Sequence, residues 1–164
     1  MADAIRTKRL VLRRATMADL AAMNRIMSDP RAMRYWSTLP HESVAQTEAW
    51  LQSMVEADRA TSDDFIVTRD GAVLGKFGAW RLPEFGFLLD PEEWGEGYAS
   101  EAMGGFIAHR RVCGSTELTA DVDPRNAASL RLLQRHGFTE THREARTCQL
   151  GDAWCDSVYL RLAL

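Results

Sequence analysis

The segment from Gly86 to Ala102, Gly-Phe-Leu-Leu-Asp-Pro-Glu-Glu-Trp-Gly-Glu-Gly-Tyr-Ala-Ser-Glu-Ala, concentrates residues whose types and spacing suit chemistry. A strand-type apolar run, Phe85 to Leu89, breaks at Asp90-Pro91 and passes through Gly95-Glu96-Gly97. A helical pattern then begins, with Tyr98, Ala99, Ala102, Met103, Phe106 and Ile107 on its apolar side. Strand, glycine turn and helix N-terminus together can hold phosphate. The N–H groups of a first helical turn lack intrahelical partners, and the macrodipole adds partial positive charge there. Glycines let the backbone approach an anion without a side chain between them. The segment is expected to bind the pyrophosphate of a nucleotide-containing cofactor.

The spacing tests which cofactor. A dinucleotide fingerprint sets its first glycine directly after the strand and has an acid about 20 residues on. Gly95, Gly97 and Ser100 match that loosely, with Asp121 or Asp123 as the acid. Asp90-Pro-Glu-Glu-Trp94 intervenes, however, and makes the turn too long. No G-x-x-x-x-G-K-[ST] phosphate loop is present. A lone G-x-G decides little, so the surrounding elements must.

A chain of 164 residues suits one domain, 1–164, with a sizeable core. A net charge of −3 argues against a nucleic-acid binder. Cys113, Cys148 and Cys155 form no C-x-x-C pair and read as reduced thiols. No His/Cys spacing suggests a metal. The N-terminus lacks an apolar signal core and no run approaches membrane-spanning length, so a cytoplasmic location is the expectation.

The elements alternate. Arg9 to Arg14 reads as a first strand. Thr16-Met-Ala-Asp19 has capping-box shape before a helix with Leu20, Met23, Ile26 and Met27. Asp29-Pro30 ends that helix or starts a short second one holding Met33, Tyr35 and Trp36, and a further helix spans about Val44 to Ala57. Phe65–Thr68 and Ala72–Trp80 form a hairpin about Asp70-Gly71. Pro83 opens the strand that enters the central segment, whose helix ends by Cys113 before Gly114. Gly104-Gly105 inside that helix implies close packing against the sheet. Thr116–Val122 is a strand and Asn126–His136 a helix. Phe138–Thr147 and Trp154–Leu162 form the last strand pair. This order predicts a mixed, mostly antiparallel sheet of about seven strands flanked by helices, with the fourth and fifth strands parallel. The Asp70-Gly71 hairpin excludes a doubly wound fold.

Three segments carry a resemblance: Thr7–Arg13 with Asp29-Pro30 downstream, Glu84–Ala102, and Asp123–Phe138. With the element order, they resemble the GNAT superfamily of acyl-CoA-dependent N-acyltransferases, nearest its RimJ/RimL-like branch of ribosomal-protein N-terminal acetyltransferases. The resemblance covers essentially the whole chain. It implies an α/β (α+β) acyl-CoA N-acyltransferase fold, splayed between the fourth and fifth strands. It also implies acetyl-CoA or coenzyme A as cofactor. The family's Q/R-x-x-G-x-G/A motif reads here as Trp94-Gly95-Glu96-Gly97-Tyr98-Ala99, with Trp94 in place of Gln/Arg. These residues and Ser100 form the expected backbone cradle.

Acyl transfer to nitrogen needs a neutral amine, oxyanion stabilisation and an exit for the thiolate. Glu84 stands where some relatives carry their general base, with Glu42, Asp64 and Glu101 as alternatives. The backbone N–H groups of Phe87, Leu88 and Leu89 are the expected oxyanion donors, provided the strand splays. Asn126 resembles the family asparagine that contacts the pantetheine arm; locally, Asp123-Pro124 reads as the helix cap. Ser129 shares a helix face with Asn126 and is expected to hydrogen-bond the departing sulfur or its own helix. Leu133 occupies the position of a tyrosine general acid in many relatives. Tyr35, Trp36, His41 and Glu42 fall where relatives build the acceptor pocket. The reading is therefore an N-acetyltransferase, monomer or homodimer, without nucleic-acid or membrane partners. It uses an acyl-CoA donor and a primary-amine acceptor, first a protein or peptide N-terminus. A small-molecule amine, or a catalytically idle acyl-CoA-binding module, is the alternative.

Overall fold

A computed structural model describes residues 3–164. The chain opens with strands β1 (Ala4–Arg6) and β2 (Val11–Arg13), followed by helices α1 (Leu20–Met27), α2 (Pro30–Met33) and α3 (Val44–Val55). Then come β3 (Asp63–Arg69), β4 (Ala72–Arg81), β5 (Glu84–Leu89) and α4 (Tyr98–Val112). The rest is β6 (Glu117–Val122), α5 (Ala127–Arg135), β7 (Thr139–Leu150) and β8 (Ala153–Ala163). One eight-stranded sheet runs β1-β2-β3-β4-β5-β6-β8-β7, antiparallel except between β5 and β6. The expected first strand, Arg9 to Arg14, is β2, and a further short strand, β1, precedes it. The Thr7 N–H donates to Leu10 O at 2.9 Å, and the chain folds back so that Ile5 faces Leu12. A three-residue strand is too short to display an alternation, so the sequence shows seven strands where the fold has eight.

Local chemistry sets the boundaries. The Asp19 carboxylate accepts from the Thr16 N–H at 2.9 Å, and Asp29 accepts from the Arg31 N–H at 2.8 Å across Pro30. Ser43 and Gln46 form a capping box that starts α3. Asp70 and Gly71 both take positive φ, 51° and 84°, the turn that suits a twisted hairpin. Helix α4 ends in a Schellman arrangement: Ser115 N–H to Arg110 O at 3.0 Å and Gly114 N–H to Arg111 O at 3.1 Å.

Two apolar layers sandwich the sheet. Phe65, Phe77, Phe85, Phe106, Leu133 and their neighbours fill the face under α4 and α5. Met23, Ile26, Met27, Met33, Ile66 and Leu88 fill the face under α1 and α2. Gly105 lets α4 close against β1, since a Cβ there would lie 2.8 Å from Thr7 Cγ2; nothing in the structure explains Gly104. Buried Asp63 joins α4 to the sheet through Arg14 at 2.8 Å, His109 at 2.7 Å and Arg110. Removing that carboxylate would strand buried cations, a loss of about 3–5 kcal/mol. Among the described residues no helix is long and apolar enough to cross a membrane.

Candidate active site at the fork between β5 and β6

The parallel strands β5 and β6 pair at one place, Glu84 opposite Thr119, where the Thr119 N–H donates to Pro83 O at 3.0 Å. Beyond that point they diverge. Asp90 N–H donates to Leu74 O at 2.8 Å, and Gly75 sits opposite Leu89. Alternation along β5 then turns the N–H groups of Leu88 and Gly86 toward β4 and those of Phe87 and Leu89 toward the gap. Of the three expected oxyanion donors, two therefore face open space. The Leu88 amide belongs to the β4 ladder.

A cavity of about 850 Å³ occupies the upper fork. Phe87, Leu88, Leu89, Trp94, Gly95, Gly97, Tyr98, Ala99, Ser100, Asn126 and Ser129 all line it, as do Tyr35 and Trp36. Gly97 caps α4 with φ of 79°, a left-handed conformation that aims the free N–H groups of the first turn outward. Trp94 has a structural task. Its indole Nε1–H donates to Leu89 O at 3.1 Å and braces the strand end on the gap side. Ser100 Oγ lies 2.9 Å from His136 Nε2. Glu96 lines neither this cavity nor the next; its carbonyl accepts from Arg9 at 3.0 Å. Arg31, Arg34 and Arg135 also line the cavity and escaped the sequence reading, because isolated surface arginines carry no spacing signal.

Asn126 is itself the N-cap of α5, its Oδ1 accepting the Ser129 N–H at 3.2 Å. This corrects the assignment of the cap to Asp123-Pro124. Asp123 instead closes a turn on Arg125, taking its N–H at 2.9 Å and its guanidinium at 2.6 Å. The Asn126 amide hydrogens remain for the cavity. Leu133 is fully buried in the core; Leu132 is the α5 leucine that reaches the cavity.

A second cavity, about 660 Å³, opens on the α1–α3 side of the same fork. It shares Tyr35 and Trp36 with the first and is lined by Glu84 and His41. Trp36 packs over Gly86, its Cη2 in ordinary contact distance, 3.9 Å, of where a Cβ would stand. Thr47 Oγ1 donates to Asn24 Oδ1 at 2.9 Å and so accepts from His41 Nδ1–H at 2.7 Å, leaving Nε2 as an acceptor. Burial lowers the His41 pKa and keeps the ring neutral. Glu42 is exposed and lines neither cavity; its N–H donates to Gln46 Oε1 at 2.6 Å.

The alternatives for a base separate clearly. Glu101 lies in neither cavity and ties α4 to the N-terminal turn. It takes Thr7 Oγ1, the Arg9 N–H and Arg9 Nε, each at 2.6 Å. Those bonds overcome the cost of burial and hold its carboxyl at about 2. Asp64 lines the second cavity but is bound by Lys76 Nζ at 2.8 Å, and both side chains are buried. Burial raises the Asp64 pKa against that pull. Lys76 was missed, although a lysine between apolar Leu74 and Phe77 in a strand is itself a signal of a buried partner. Asp121 of β6 and Asp123, just past its end, also line this cavity with Glu84.

The fold has known counterparts. The RimL ribosomal L7/L12 α-N-protein acetyltransferase in complex with coenzyme A superposes with a TM-score of 0.86, at 18% identity over 98% of each chain. The yncA acetyltransferase of Salmonella typhimurium with acetyl-CoA gives 0.73, at 23% identity over 96% of this chain and 95% of that one. In sequence, the L-methionine sulfoximine/L-methionine sulfone acetyltransferase of Salmonella typhimurium is 25% identical over 165 residues, covering 94% of this chain and 95% of its own. Residues 9–139 match the acetyltransferase (GNAT) domain family, a span that holds the fork, the glycine turn and both cavities' shared aromatics. The chain belongs to the GNAT acetyltransferase family.

Proposed function

We propose that this protein moves an acetyl group from acetyl-CoA to a primary amine by direct attack, with both substrates bound at once. One observation carries the reading: β5 and β6 pair only at Glu84 and Thr119 among the described residues, so that strand alternation turns the Phe87 and Leu89 N–H groups into the gap beyond, where the two cavities share Tyr35 and Trp36. The residues present fit the donor. The first turn of α4 behind Gly97, with Arg31, Arg34 and Arg135 nearby, would hold its phosphates. The Asn126 amide would hold the arm that enters the gap.

Acetyl-CoA supplies the thioester. The Phe87 N–H donates to its carbonyl oxygen as negative charge builds there, in a setting already oriented for that charge. Glu84 accepts the proton of the incoming ammonium, whose pKa lies near 8 for an α-amine and near 10.4 for a lysine-like one. Three residues separate Glu84 from Phe87, about 10 Å along a strand, so the proton crosses through water. The Ser129 hydroxyl donates to the departing sulfur. A thiol pKa near 8.5 lets the thiolate leave without full protonation.

A protein or peptide N-terminal amine is the first acceptor, by likeness of fold to RimL. A small-molecule amine is the second, favoured by the relative that acetylates L-methionine sulfoximine. Thiol release from acetyl-CoA across peptides, amino acids, polyamines and aminoglycosides, with coenzyme A binding measured alongside, tests the proposal. Turnover of an amine is expected. Absence of both binding and turnover would overturn it.

A further inference from the structure

The second cavity has a one-sided charge. Asp64, Glu84, Asp121, Asp123 and Asp156 line it, against one cationic side chain, Lys76. Lys76 is already taken: its Nζ lies 2.8 Å from Asp64 Oδ1 and 3.4 Å from Gly86 O, at 3% exposure. An acceptor carboxylate would have to compete for that ammonium and break a buried pair, which is strongly unfavourable. Asp123 is held by Arg125. Glu84, Asp121 and Asp156 have no ionic partner among the described residues.

Resting on the acetyl-transfer reading, we infer that the acceptor is a primary amine with a second cationic group and no carboxylate beside the reacting nitrogen, the second cation being held by Asp121. Asp121 stands two residues past Thr119, the residue paired with Glu84. That offset is about 7 Å along β6, the span of a few methylenes. Partial desolvation at the cavity wall, then repulsion from Asp123 and Glu144, raises the Asp121 pKa despite a hydrogen bond with Ser157. Trp36, Trp50 and Trp80 add aromatic faces that attract cations. An α-amino acid offers the opposite pattern, with its carboxylate next to the nucleophile and facing this acidic wall.

The test is steady-state thiol release at saturating acetyl-CoA with 1,5-diaminopentane, pentylamine, L-methionine, Ser-Arg amide and Ser-Glu amide. The dications are expected to exceed pentylamine and L-methionine in kcat/KM by about tenfold or more, the scale of one charge pair near a protein surface. Asp121→Asn should erase that preference by raising KM about tenfold with kcat held within about twofold. Asp121 is exposed, so the variant keeps its fold, which the unfolding midpoint checks. Preference for diaminopentane identifies a small polyamine and preference for Ser-Arg amide a basic peptide; either supports the inference. Turnover of L-methionine at or above the dications, or an unchanged preference in Asp121→Asn, overturns it. Calorimetric titration separates the two levels. Acetyl-CoA bound without turnover of any dication sinks this inference alone, whereas failure to bind acetyl-CoA sinks the transfer reading beneath it.

Discussion

The two cavities touch at Tyr35 and Trp36 yet are assembled by opposite means. The first takes its polar character largely from backbone: two outward amides of β5, the first turn of α4, and a glycine with φ of 79° that orients them. Arginines stand at its rim. The second takes its polar character from side chains, contributed by β3, β4, β5, β6 and β8, and those charges are mostly negative. A backbone site is fixed by the fold and suits a donor common to a family. A side-chain site can change one residue at a time and suits an acceptor that differs between members.

That division can be broken most directly at Gly97. Tryptophan there must adopt a left-handed conformation that costs about 1–2 kcal/mol and puts bulk beside the first-turn amides. A Cβ would meet Arg9 Nη2 at 3.6 Å, ordinary contact, so the fold should survive. Coenzyme A affinity should fall roughly 100-fold, measured by calorimetric titration. An unchanged affinity would remove the phosphate assignment from this cavity.

Glu84→Gln attacks the other side of the comparison. Coenzyme A binding should be intact, while kcat/KM falls about 100-fold at neutral pH, the scale of general-base catalysis. The deficit should widen at low pH, where the acceptor is mostly an ammonium. Parallel pH profiles for the two enzymes would show that Glu84 is not the base.

The same division explains what could be read from the sequence. Backbone sites leave a trace in one stretch of chain, so Gly95, Gly97, Asn126 and the strand before them marked the first cavity. The parallel β5–β6 pair followed from the element order and its splay from the family resemblance. Tyr35, Trp36, His41 and Glu84, named from the resemblance, line the second cavity. Glu42, one residue past His41, lines neither cavity; it is exposed, and its main-chain N–H is held by Gln46 at the start of α3. The Lys76–Asp64 pair and the Asp121 wall required strand register, which joins residues far apart in the chain. β1 was hidden for a related reason: a three-residue strand makes sense only once paired with β2.

Glu101 sharpens the account of the first cavity through stability. Its folded carboxyl pKa is about 2 against an ordinary 4.5. A depressed carboxylate pKa stabilises the fold above the unfolded value and loses that contribution as pH falls through the folded one. After discount for solvent screening, Glu101→Gln should cost about 1–2 kcal/mol at pH 7. The gap between variant and wild type should close between pH 4.5 and about 2. Urea midpoints across that range check it; a gap independent of pH would mean that the contacts with Thr7 and Arg9 act through packing alone.

Ser129 should give the smallest effect, and its size bears on the junction of the two cavities. Its N–H is held by Asn126 at 3.2 Å, which fixes the start of α5 whatever the side chain is, so Ser129→Ala should leave the fold unchanged. With Leu133 buried in the core, no tyrosine stands at the position that supplies a general acid in many relatives. If Ser129 is the group that meets the departing thiolate, its loss should lower kcat about threefold to fivefold with KM for acetyl-CoA unchanged, the worth of one hydrogen bond formed late in the reaction. A raised KM with constant kcat would instead make Ser129 a ground-state contact of the donor. No change in either would leave the thiolate departing unaided, as its intrinsic pKa near 8.5 permits.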